Sequence, residues 1–421
     1  MSAALSLYRA VTGLMEPFAA GALRRRAARG KEDAARLGER LGRASRPRPD
    51  GPLVWLHGVS VGETTSLLPL VDRLRAARPD AVVLVTSGTV TSAEILSRRL
   101  PPGVIHQFAP VDAPGAVARF LDHWRPDLGV FVESELWPNL IAGAKDAGAR
   151  LALVSARITE KTARGWSKLP GAAADLLSRF DLVLAQDDET EARLARLGRG
   201  SDGRLNLKYA GDPLPYDKPA LAALQREAGG RPVLLAASTH PGEDGLVLET
   251  YQALDAEARG RPMLVIAPRH PERGADVAEL ARSMGFTAGR AGEGDAFSRQ
   301  CDVYVADRLG ELGLWFRLAT GAFLGGSLLP GIGGHNPLEA VQVGTPVISG
   351  RHVDNWVGVY GDLEAAGLAR MLAGPGDLTV AWEALLDAAE PRKAVETEAR
   401  AILDRRRREF DEAVQRLGAL L

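Results

Sequence analysis

The chain has 421 residues, enough for two or three domains that each bury a core. Its 52 basic and 53 acidic side chains nearly cancel, so a chain-wide nucleic-acid footprint is excluded. The composition, 46% hydrophobic and 25% charged, excludes a disordered chain, and the single cysteine, Cys301, excludes an internal disulfide and argues against a cysteine-built metal site.

Charge is not spread evenly. Residues 1–50 hold 11 basic and 5 acidic side chains. Leu7, Val11, Leu14 and Phe18 recur at helical spacing, and Arg24, Arg25, Arg26, Arg29 and Lys31 follow at once. No span offers the roughly 18–20 uninterrupted apolar residues of a membrane-crossing helix. An apolar stripe beside a cationic cluster suits the interface of an anionic membrane. The same stripe also suits a helix packed on its own domain.

From residue 52 short apolar runs alternate with helical patterns. The runs are 52–57, 81–88, 104–110, 128–134, 151–156, 181–186 and 204–211, with helices expected at 64–78, 91–100, 115–124 and 188–197. The runs are Val/Leu-rich and continuous, as strands buried on both faces read. Residues 212–231 carry three prolines in their first eight positions and a Gly229-Gly230 pair, which predicts a connection with a short helix. The rhythm resumes with runs at 231–238, 262–269, 302–307, 321–326 and 345–350 and helices at 243–259, 272–284, 310–318 and 337–343. Residues 378–420 read as helix, able to fold back across the first half. The pattern predicts an α/β protein of two doubly wound parallel-sheet domains with a cleft between them, ligands sitting at the carboxyl ends of strands. The expected divisions are a basic N-terminal segment 1–50, a first domain 51–211, a linker 212–231, a second domain 232–390 and a C-terminal helix 391–421.

Four strand ends carry the chemistry. In His57-Gly58-Val59-Ser60-Val61-Gly62-Glu63 a strand gives way to a helix start, whose free N–H groups suit an anion. The spacing is neither GxGxxG nor a P-loop, which argues against an ordinary NAD or ATP site. Glu63 is either a dipole-complementing first-turn carboxylate or a general base. In Glu133-Ser134-Glu135-Leu136-Trp137-Pro138-Asn139 two carboxylates end an apolar strand. Glu135 can serve the helix start at Pro138 and Glu133 is harder to explain by capping, so one of the two is expected to face the cleft. In the second half Ser238-Thr239-His240-Pro241-Gly242-Glu243 and Ala267-Pro268-Arg269-His270-Pro271-Glu272-Arg273 each place His before Pro at a strand end. Arg269 suits a phosphate, which a guanidinium forks. Last, the Gly-rich stretch Gly325 to Glu339 ends in His335-Asn336-Pro337-Leu338-Glu339, where a carboxylate can accept from two ribose hydroxyls.

In these stretches, with LYRAVTGLMEPF, SARITEKTARGW, NLKY, GELGLWF and GTPVISG followed by HVDNW, the chain resembles the 3-deoxy-D-manno-octulosonic acid (Kdo) transferases of Gram-negative bacteria. The resemblance runs from about residue 7 to about residue 370. It implies a GT-B fold of two Rossmann-like domains. It also implies an inverting transfer of Kdo from CMP-Kdo to a lipid A precursor at the cytoplasmic face of the inner membrane, with no metal or other cofactor. By the same resemblance Glu63 matches the catalytic base, and Arg269 and His270 the donor phosphate region. Gly326, Ser327, Asn336 and Glu339 match the CMP cradle. Ser60, Gly62, Glu133, Arg157, Lys208 and His240 are further cleft candidates, with Lys208 and Arg157 suited to the Kdo carboxylate. The chain departs from the family pattern at Gly58, Arg308, Ala340 and Arg351. The rival readings are a GT-B enzyme acting on UDP-linked sugars and a non-catalytic nucleotide- or lipid-binding protein.

Overall fold

The computed structural model describes residues 2–254 and 259–421. They divide into two compact units, the first running up to Gly211 and including Arg405–Leu421, the second Asp212–Asp404.

The first unit is built on seven strands: β1 (Leu53–His57), β2 (Val82–Ser87), β3 (Ile105–Phe108), β4 (Leu128–Val132), β5 (Arg150–Ala156), β6 (Leu182–Ala185) and β7 (Gly203–Arg204). All pairings are parallel, in the order β3-β2-β1-β4-β5-β6-β7. The apolar runs are continuous because both faces are covered. On β1 and β4, Trp55 and Phe131 join Phe120 and Trp124 on one side. Val54, Leu56, Val130 and Val132 join Leu70 and Leu74 on the other. That alternation is the period-two geometry of a strand. The C-terminal helix Pro391–Gly418 returns to this unit, where Phe410, Ala413, Val414 and Leu417 complete the second layer.

The helix Ala3–Ala27 runs unbroken through Pro17. Its attachment to the unit is largely polar. The Tyr8 hydroxyl donates to Asp112 at 2.9 Å. Thr12 Oγ1 accepts from Asn139 Nδ2 at 2.9 Å. Glu16 accepts from the Gly115 N–H at 2.7 Å and from Arg119 at 2.9 Å. Glu16 therefore supplies the carboxylate that the start of the helix Pro114–Trp124 needs. Leu5 and Leu23 are buried, but Leu7, Leu14 and Phe18 are 65%, 77% and 68% exposed. The stripe points away from the domain core, which settles against its packing on its own domain.

The second unit repeats the architecture with β8 (Val233–Thr239), β9 (Met263–Pro268), β10 (Ala288–Arg290), β11 (Val303–Val305), β12 (Gly321–Leu324), β13 (Val347–Ser349) and β14 (Ala369–Met371). Its parallel order is β10-β11-β9-β8-β12-β13-β14. Trp382, from the helix Asp377–Asp387, is fully buried on one face with Phe323, Leu264 and Ile266. In each sheet the strand order reverses beside the unit's first strand, between β1 and β4 and between β8 and β12. Loops diverge at such points, leaving a crevice at the strand ends.

Several expectations shift. Residues 204–211 do not form a strand beyond Arg204. Asn206 Oδ1 instead accepts from the Lys208 N–H at 3.1 Å and caps a 3₁₀ turn, Leu207–Ala210. The expected helix 64–78 divides at Leu67 into Val61–Ser66 and Leu68–Ala77, with Pro69 opening the second piece. The helix expected at 243–259 is seen as Glu243–Ala253, and residues 255–258 lie outside the described ones. Strands β10 and β14 were not expected at all.

Candidate active site

The end of β1 leads into the helix Val61–Ser66 through a reciprocal cap. Ser60 Oγ accepts from the Glu63 N–H at 3.3 Å. The Glu63 carboxylate accepts from the Val59 N–H at 2.7 Å, the Ser60 hydroxyl at 2.7 Å and the Ser60 N–H at 3.4 Å. Glu63 is thus a capping residue whose carboxylate is held in one orientation. A carboxylate offers about four lone-pair sites. Gly62 is exposed, and a side chain there would meet open space apart from the Ser60 hydroxyl.

The end of β4 brings two more carboxylates to the same place. Glu133 sits at φ 52°, a left-handed conformation costly for a non-glycine residue and characteristic of functional sites. Burial pushes its carboxyl up; Lys208 opposes that, the Glu63 charge adds to it and Arg157 opposes it again. Burial in turn pushes the Lys208 ammonium down, with Glu133 pulling it back. Glu135 shares a hydrogen bond with Glu63 and accepts from the Trp137 indole. Burial first, then the Glu63 charge, pushes its carboxyl up to about 7. Five candidates from four separate segments therefore converge: Glu63, Glu133, Arg157, Lys208 and Glu135.

A raised carboxyl keeps its proton to higher pH than free glutamic acid. Up to about 7 the coupled carboxylates hold a proton that bridges Glu135 and Glu63, and its loss sets like charges side by side. The kcat profile accordingly carries an ionisation near neutrality. In Glu135→Gln, whose amide donates at every pH, that ionisation disappears. An unchanged profile in the variant would assign the titration elsewhere.

In the second unit a cavity of about 350 Å³ opens at the ends of β8, β9 and β11, with Ser238, Arg269, Arg308, Trp315 and Glu339 among its lining. Ser238 is another strand-end residue in a left-handed conformation, φ 57°. One wall is the segment Leu214–Pro215. It closes against the helix Leu312–Leu318 because position 313 is glycine; a Cβ there would lie 2.4 Å from the Pro215 carbonyl oxygen. Asn336 orients Glu339, donating to its carboxylate at 3.3 Å while accepting from the Leu338 N–H at 3.0 Å. Burial pushes the Glu339 carboxyl up, and Asn336 and Arg269 oppose it.

Three imidazoles gather beside Arg269. His240 Nε2 lies 2.9 Å from His335 Nε2, so one ring donates and the other accepts. The exposed His270 ring stands edge-on to His240 at 5.9 Å. Burial, then the charges of His240, Arg269 and His270, push His335 down to about 4, and burial also lowers His240. At neutral pH the pair is uncharged, and the cations of this corner are Arg269 and Arg273, the latter paired with Asp244.

The glycine-rich loop differs from expectation. The Ser327 hydroxyl is buried, donating to the Leu324 carbonyl at 2.5 Å and accepting from the Gly350 N–H at 2.9 Å. The Gly326 N–H is likewise committed, donating to Glu243 at 2.7 Å. Ser327 and Gly326 therefore shape the loop rather than offer polar groups to a ligand, and Asn336 acts through Glu339. The residue that organises the loop is Glu243. Its buried carboxylate accepts from the N–H groups of His240, Gly326, Ser327 and Leu328, all at 2.7–3.0 Å. Sequence reasoning passes over Glu243; it expects only one of Glu133 and Glu135 at the cleft, and takes His335 only as part of the glycine-rich loop. Of the departures from the family pattern, Arg308 reaches the cavity, where its guanidinium donates to the Ala291 carbonyl at 2.6 Å.

Two doubly wound parallel sheets, with a carboxylate cluster at the switch point of the first and a cation-and-carboxylate cavity at the strand ends of the second, define a GT-B glycosyltransferase. A glycosyltransferase from Rickettsia africae shares the fold at a TM-score of 0.57 and 10% identity, over 88% of this chain and 99% of that one. Residues 35–210 match the 3-deoxy-D-manno-octulosonic-acid transferase (kdotransferase) family. The 3-deoxy-D-manno-octulosonic acid transferase of Bordetella pertussis is 37% identical over 381 residues, 87% of this chain and 86% of the relative. That of Haemophilus influenzae is 33% identical over 369 residues, 85% of each. The chain belongs to the 3-deoxy-D-manno-octulosonic acid transferase family.

Proposed function

We propose that this chain moves Kdo from CMP-Kdo to a glucosamine hydroxyl of a lipid A precursor, inverting the anomeric centre without a metal ion. The observation that carries the reading is the Glu63 carboxylate, fixed by its cap and joined by Glu133 and Glu135 in a chain of this family. In the reaction the acceptor oxygen bonds to the anomeric carbon as the CMP oxygen leaves with its electron pair. Glu63 takes the hydroxyl proton. Attack on the face opposite the leaving group gives inversion. Arg157 and Lys208 suit the Kdo carboxylate, and their proximity to Glu133 holds them at the reacting end of the sheet. On the donor side Arg269, with His270, meets the phosphate charge that grows as CMP departs. Glu339 accepts from the ribose hydroxyls.

The test is direct. The protein is mixed with CMP-Kdo and lipid A precursor in EDTA, and the product is weighed by mass spectrometry. Titration with CMP against UDP runs beside it. One added Kdo mass or more, with CMP bound tighter than UDP, supports the reading. A UDP preference without product favours the sugar-nucleotide rival.

The N-terminal helix fits a lipid-borne acceptor. Among the described residues no helix is long and apolar enough to cross a membrane. The exposed Leu7, Val11, Leu14 and Phe18 instead suit peripheral attachment to the cytoplasmic face of the inner membrane, beside the exposed Arg24, Arg25, Arg29 and Lys31. Each large apolar side chain taken from water contributes about 1.5–3 kcal/mol. Leu14→Asp with Phe18→Asp therefore lowers partition onto anionic vesicles by roughly 10²-fold or more. Unchanged flotation of the double variant would leave the helix no membrane role.

A further inference from the structure

A second hollow lies wholly within the first unit. It is a groove of about 450 Å³ between the N-terminal helix, the loop after β4 and the helices Glu160–Trp166 and Pro170–Leu177. Its surface is apolar, built from Leu5, Leu136, Trp137, Trp166, Leu169 and Ala172. The polar atoms at its edges are already engaged. The Tyr8 hydroxyl donates to Asp112, and the Trp137 indole donates to Glu135. A sugar needs unsatisfied donors and acceptors along its site, and this surface offers few. A hydrocarbon chain needs none.

The two ends of the groove fix what kind of chain it is. Glu135 lines one end, and it shares a hydrogen bond with Glu63, the proposed base. A molecule that presents a hydroxyl to Glu63 therefore has its neighbouring substituents at the mouth of the groove. The wall formed by Ala4, Leu5 and Tyr8 belongs to the same helix that exposes Leu7, Leu14 and Phe18. The groove therefore has Glu135 at one end and the helix suited to lipid as one wall. Leu169, 52% exposed, stands at the rim.

We propose that this groove receives the first part of an acyl chain of the lipid acceptor, so that the acyl chain orients the sugar hydroxyl towards Glu63. The proposal rests on the reading of the chain as a transferase with an acylated acceptor. The occupant is an acyl chain of the acceptor itself, not a bulk membrane lipid.

The experiment compares an acylated glucosamine-disaccharide phosphate acceptor with its fully deacylated counterpart. Both are dispersed in the same detergent, with CMP-Kdo as donor. Leu169→Glu places a charge at the rim of the groove without disturbing the core. We expect the ratio of kcat/KM for the acylated over the deacylated acceptor to fall about tenfold in this variant. A ratio equal to that of the unsubstituted protein overturns the groove while leaving the transferase reading in place. If the unsubstituted protein transfers to neither acceptor, that reading fails, and a second readout then decides the groove. An acceptor with brominated acyl chains should quench the fluorescence of Trp137 and Trp166, and Leu169→Glu should relieve the quenching. Equal quenching in both proteins overturns the groove.

Discussion

Glu63→Gln lowers kcat for Kdo transfer by ~10²–10⁴-fold while the affinity for CMP-Kdo changes less than about threefold. The amide removes the base and keeps much of the side-chain geometry at the helix start. The donor-binding groups Arg269 and Glu339 are in the other unit and are untouched. Glu63→Ala goes further, because it also removes the reciprocal cap with Ser60. Loss of a cap costs about 0.5–2 kcal/mol, so the alanine variant melts a few degrees lower. Comparing the two variants separates chemistry from folding. If the Gln variant turned over at the normal rate, Glu63 would be a cap and nothing more.

The second large effect falls on a residue remote from the transferred proton. Glu243→Ala leaves four buried N–H groups, those of His240, Gly326, Ser327 and Leu328, without their acceptor. Each buried donor left unsatisfied costs ~1–3 kcal/mol. The four share one carboxylate and relax together, so the combined cost is nearer ~3–5 kcal/mol than their sum. For a domain of this size that lowers Tm by roughly 10 °C. The loop that leads to Asn336 and Glu339 loses its tether to the end of β8, so CMP affinity falls with it. Glu243→Asp, too short to reach all four, lies between. Differential scanning fluorimetry with and without CMP measures both effects. A variant with unaltered melting and unaltered CMP stabilisation would show that the carboxylate is dispensable.

Glu63 and Glu243 also show where sequence reading reaches its limit. Each is a glutamate in the first turn of the helix that follows the opening strand of its unit's sheet. By position alone the two are interchangeable, yet only Glu63 reads as a cap or a general base, and the family resemblance then favours the base. The difference lies in what surrounds them. The chain around Glu63 leaves its carboxylate partly open and within reach of Glu135, whereas Glu243 is fully buried under the loop after β12. Such a distinction depends on residues about 80 positions apart meeting in space, which no local pattern records. The long parallel strands were legible because burial on both faces demands unbroken runs of Val and Leu. The short strands Ala288–Arg290 and Ala369–Met371 carry arginine and sit at sheet edges, so nothing in their composition separates them from loop. RLNLKYAG misled for the opposite reason. Its alternation suits a strand, yet the Asn206 side chain captures the backbone and turns it, which is what brings Lys208 towards Glu133.

The polar anchoring of the N-terminal helix has a mechanical meaning. Tyr8, Thr12 and Glu16 fasten three successive turns, so this helix cannot swivel against the sheet as a tether on a single hinge would. Seated on a bilayer, it would set one fixed tilt for the strand ends that bear Glu63 and Glu133. The search for an acceptor then becomes sliding in a plane at constant attitude, rather than tumbling in three dimensions.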